Sequence, residues 1–62
     1  MIKDIKERIK ELEAKKEFFL NYFNENKNNT DKQSICYYYK GIISRLTSEI
    51  AFLKMLLKQM LG

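Results

Sequence analysis

Cys36 is the one thiol in this 62-residue sequence, and there is no histidine to take its proton. A cysteine nucleophile needs a neighbouring base or cation to become a thiolate. Cys36 also falls on an apolar helical row, where a free cysteine behaves as a small core residue. The same count excludes a Cys/His zinc site. The acids are mostly on the first helix among lysines, spaced as surface pairs such as Asp4–Arg8 and Glu11–Lys15. They do not form a converging carboxylate pair. No Gly-rich phosphate loop and no Ser/His/Asp set is present. The expectation is a chain that is not an enzyme, with no cofactor and no metal.

What remains is the chemistry of recognition. The stretch "ICYYYKG", residues 35–41, carries three consecutive tyrosines. On a helix they point about 100° apart, so one buried face cannot hold all three. The net charge is +4. Residues 1–26 carry six basic and six acidic side chains, so the excess comes from the rest of the chain. There, Lys27, Lys32, Lys40, Arg45, Lys54 and Lys58 stand against Asp31 and Glu49. Lys40 and Arg45 beside Tyr37 and Tyr38 have the chemistry to hold phosphate and stack bases. The chain has only two arginines, no dense basic run and no helix-turn-helix or basic-zipper signature. Nucleic acid is therefore the alternative partner. Read alone, "IAFLKMLLKQMLG", residues 50–62, resembles a cationic membrane-surface peptide. The same apolar residues continue a heptad that matches the first helix, so a core role is favoured over a membrane.

These residues must be positioned by helices. Proline is absent and the only glycines are Gly41 and Gly62. In residues 2–26, apolar side chains recur at a and d heptad positions: Ile2, Ile5, Ile9, Leu12, Phe19 and Phe23. From 35 to 61 the rows are Cys36, Ile43, Ile50 and Leu57, with Tyr39, Leu46, Leu53 and Met60. Between them, "NENKNNTDKQ" breaks the pattern with turn residues. Thr30 followed by Gln33 reads as a capping box. The expected fold is all-α: one antiparallel two-helix hairpin, about 2–26 and 31–61, with the turn at about 26–30. Gly41 allows a local bend. Positions that sum to about 58 meet, so Phe19 is set against Tyr39, Leu12 against Leu46 and Ile5 against Leu53.

One hairpin does not bury every apolar side chain. Ile35, Ile42 and Leu56 form a row beside the second seam, and Phe18, Leu20, Tyr22 and Tyr38 lie at or beyond the strip. Each such side chain gains about 1.5–3 kcal/mol on full burial. A chain of this size also needs some supplement to its core. A homodimer or higher oligomer, packed as a four-helix bundle, supplies it. Opposite the main seam, Tyr37, Gly41, Ser44, Ser48 and Met55 form a mostly small row with Ala51 among them. With Lys40, Arg45 and the off-seam Phe52, it is the expected surface for a protein partner.

Lys, Ile, Asn, Phe and Tyr supply 30 residues, while Ala, Arg, Gly and Pro supply six. That skew follows A/T-rich codons and points to an AT-rich genome, such as a low-GC bacterium, its phage or a plasmid; with the small size and lack of catalytic groups, it suggests a phage or mobile-element product. The unpaired cysteine, with no apolar leader, points to a cytoplasmic, intracellular setting. The expected role is a small regulator or inhibitor that binds a larger protein, directed at a host enzyme or defence system. The alternative is a nucleic-acid-binding hairpin dimer that regulates replication or transcription.

Overall fold

In the computed structural model, which describes all 62 residues, two α-helices are joined by a short turn. Helix α1 spans Ile2–Asn26, a 3-10 turn spans Thr30–Lys32, and helix α2 spans Gln33–Leu61. The helices fold back on each other as a hairpin with Cα extents of 47 × 14 × 12 Å. There is no strand.

The a and d rows build the contact between the helices. Ile9, Leu12 and Ile50 are buried at its centre, with Ile5, Leu46, Leu53 and Leu57 packed round them. Leu12 is 1% exposed, the one large side chain that is fully enclosed. Towards the turn the seam becomes aromatic. Phe19 meets Tyr39 edge to face, with ring centroids 4.8 Å apart. Tyr22 also packs against Tyr39, at 5.0 Å. Both are ordinary T-shaped geometries for aromatic pairs. Cys36 is buried next to this cluster.

The turn corrects two details of the sequence reading. Helix α2 begins at Gln33 and not at 31, because Thr30–Lys32 form a 3-10 turn. The Thr30–Gln33 capping box does not form: Asn29 caps the 3-10 turn, and the N-cap of α2 is Lys32, with no side-chain hydrogen bond. Asn29 is extended, at φ −90° and ψ 113°, and its side chain accepts from the Asp31 amide at 3.0 Å. Thr30 lies inside the turn, where its carbonyl accepts from the Gln33 amide. An Asn at the cap position satisfies an orphan N–H as well as Thr does, and tolerates the turn better. Asn29→Ala should cost about 1 kcal/mol of stability in urea unfolding.

The far end corrects another. Met60, expected in the core, is 37% exposed. Helix α2 has 29 residues and α1 has 25, so the last turn of α2 runs past the start of α1. Met60 and Leu61 there have no opposing side chain on α1.

Helix α2 continues unbroken through Gly41. A Cβ placed at Gly41 meets nothing within 4 Å. Gly41→Ala should therefore raise the melting temperature, by about 1 kcal/mol of added stability, through helix propensity alone.

Candidate functional site

The hairpin is one layer of two helices, so it has two broad sides. Ion pairs between the helices mark them. Arg8 reaches Glu49 at 3.6 Å on one side, and Lys54 reaches Glu13 at 3.2 Å on the other. All four side chains are substantially exposed, so these pairs indicate register more than they add stability. Arg8 also bonds Glu11 at 3.4 Å. It pairs with these two acids and not with Asp4, which instead lies 3.8 Å from the terminal amine.

On the Arg8–Glu49 side, the charges nearly cancel. Arg8, Lys15, Arg45 and Glu49 line a shallow cleft with Ile42 and Leu46. By helical position Asp4, Glu11 and Glu25 belong to the same side of α1. This side carries four of the ten large apolar residues that stay exposed, Phe18, Ile35, Tyr38 and Phe52, while Leu20, Tyr37 and Leu61 fall on the opposite side. Phe18 is 64% exposed and packs edge-on against Phe19 at 5.3 Å. Tyr38 is 66% exposed and tilts against Tyr39 at 6.1 Å. Ile35 is exposed, and Tyr22, Ile42 and Leu56 are half-buried. Phe52, one heptad beyond Arg45, adds a 64% exposed ring nearer the chain ends.

The opposite side is basic. From α1 it receives Lys3, Lys6 and Lys10, from the residue that follows α1 Lys27, and from α2 Lys40, Lys54 and Lys58. The acids there are Glu13 and Glu17, and Lys54 engages Glu13. Leu20, grouped by sequence with the oligomer residues, falls on this side. It lines a groove with Glu13, Lys16, Glu17 and Lys54, because its helical position is on the other flank of the seam from Tyr22. Charge sidedness is the feature that sequence reasoning missed. Each flank of α1 carries both signs, but Lys3, Lys6 and Lys10 share their flank with Lys40, Lys54 and Lys58 of α2. The signal was the angular position of each charge, and a count along the chain discards it.

The three consecutive tyrosines separate. Tyr39 is half-buried in the aromatic end of the seam. Tyr38 stands on the neutral side. Tyr37 is 80% exposed and lines a cleft with Lys27, Gln33 and Lys40 on the basic side. The expected partner surface is therefore not one patch. Tyr37 and Lys40 are on the basic side, Arg45 and Phe52 on the neutral side, and Gly41, Ser44, Ser48 and Met55 run along the outer ridge of α2. All eight are exposed.

No three acidic or cysteine side chains come together as a metal-binding group. No helix is long and apolar enough to cross a membrane. No family model, curated protein or solved structure matches the chain.

Proposed function

We propose that this chain is a non-enzymatic interaction protein: a helical hairpin that self-associates into a four-helix bundle and regulates or inhibits a larger protein by binding it. One observation carries the reading. Only four of 62 residues are buried, while ten large apolar side chains are exposed. Domains need two packed layers around a core, and this hairpin provides one. A hairpin that leaves so much apolar surface uncovered is built to be covered by protein. Aromatic and methionine side chains such as Tyr37, Phe52 and Met55 are the types that anchor interfaces. A phage or mobile-element product aimed at a host enzyme or defence system fits the AT-rich residue choice.

The first test is mass in solution. Sedimentation velocity at micromolar concentration should give at least twice the 7.5 kDa chain mass. A stable, well-folded monomer would remove the bundle. The second test is capture of a partner from host lysate, with and without nuclease, followed by reconstitution from purified components. Loss of capture on nuclease treatment favours the second reading, a nucleic-acid-binding dimer. The basic side supports that reading, with Lys27 and Lys40 beside an exposed Tyr37. Binding to duplex or RNA that weakens steeply with salt would establish it.

A further inference from the structure

We propose that a second copy of this chain covers the neutral, apolar side of the hairpin, the side of Phe18, Tyr38, Ile42, Phe52 and Leu56. This rests on the self-association reading above and adds which side meets.

The open area is enough for a second copy. The chain exposes 5017 Å². A compact monomer of its 7.5 kDa mass exposes about 4,200 Å² by mass scaling. The difference is about 800 Å², one partner's share of a standard protein interface. Charge decides the side. In a closed dimer the same patch meets itself, so that patch must be self-complementary. Two basic sides brought together would set lysine rows of one sign against each other. The neutral side carries both signs in its middle, Arg8 and Arg45 with Glu11 and Glu49. Its flanking rings and aliphatic side chains need no charged partner. The exposed rings lie at both ends of this side: Phe18 and Tyr38 towards the turn, and Phe52 towards the chain ends.

The test compares substitutions on the two sides by sedimentation velocity. Phe18→Glu and Tyr38→Glu place a charge at residues that the single hairpin leaves exposed. Each should weaken self-association at least about thirtyfold, the effect of losing one interface anchor. Tyr37→Glu, one residue away on the basic side, should leave the wild-type mass unchanged. If Tyr37→Glu dissociates the protein and the other two do not, the side is wrong and self-association stands. A monomeric wild type overturns both. Should the glutamate variants fail to fold, alkylation decides instead. In a Cys36→Ala background, Tyr38→Cys should be protected and Tyr37→Cys reactive, with the protection lost on dilution. Equal rates at all concentrations overturn the proposal, including the case in which another protein or a lipid surface covers this side.

Discussion

Leu12→Ala should cost about 2–5 kcal/mol, the range for a buried leucine cut back to alanine. It is the largest single-residue effect expected outside the aromatic end. Leu12 is the one fully enclosed side chain, at 1% exposure, and Ile9 and Ile50 close round it. Removing its isobutyl group leaves a void among Ile9, Ile50 and the side chains packed round them. A core in a chain this short rarely supplies more than about 3–5 kcal/mol. The variant should therefore lose most of its cooperative far-UV circular dichroism transition at room temperature. Glu13→Gln is the matched control at the edge of the same contact. It breaks an exposed ion pair with Lys54 and should cost less than about 1 kcal/mol. A Leu12→Ala protein that melts like the wild type would mean that the seam is not where the stability resides.

The contrast explains which features the sequence made legible. Heptad spacing places Ile9, Leu12, Ile50 and Tyr39 on one strip, because burial on a helix is set by angle and angle is set by residue number. The hairpin and its aromatic pairing follow from that arithmetic. The turn is harder, since "NKNNTDK" offers several adjacent residues able to cap. Asn29 takes the position because its extended backbone lets the side chain reach the Asp31 amide. Leu20 shows another limit. Apolar character sets it, like Tyr22, at or beyond the strip, and only the register shows that the two lie on opposite flanks of the seam. Met60 keeps the repeat but has no partner in it, because positions that sum to about 58 run out at the start of α1 before they reach residue 60. The two-sided charge arrangement also needed the register, because each flank combines residues from both helices.

The tyrosine series gives the second large effect. Tyr39→Ala should cost about 3 kcal/mol, the lower end of the aromatic-to-alanine range, because Tyr39 is half-buried and not enclosed. It removes the ring that Phe19 and Tyr22 both contact, at 4.8 and 5.0 Å, and neither has a second ring partner on α2. Tyr37→Ala should change stability by less than about 0.5 kcal/mol, because its ring is 80% exposed. Urea unfolding of the two variants measures the difference. Their binding effects should run the other way. Tyr37→Ala should fold and self-associate normally but hold the partner less tightly, since its ring is free and stands beside Lys40. Tyr39→Ala should lose binding only in proportion to the fraction unfolded. Loss of folding on Tyr37→Ala would place that ring in the core and shift the register by a residue. On a helix, one residue of shift is about 100° of rotation. It would move every side chain assigned here to the neutral or the basic side, so the exchange between adjacent tyrosines tests the whole placement at once.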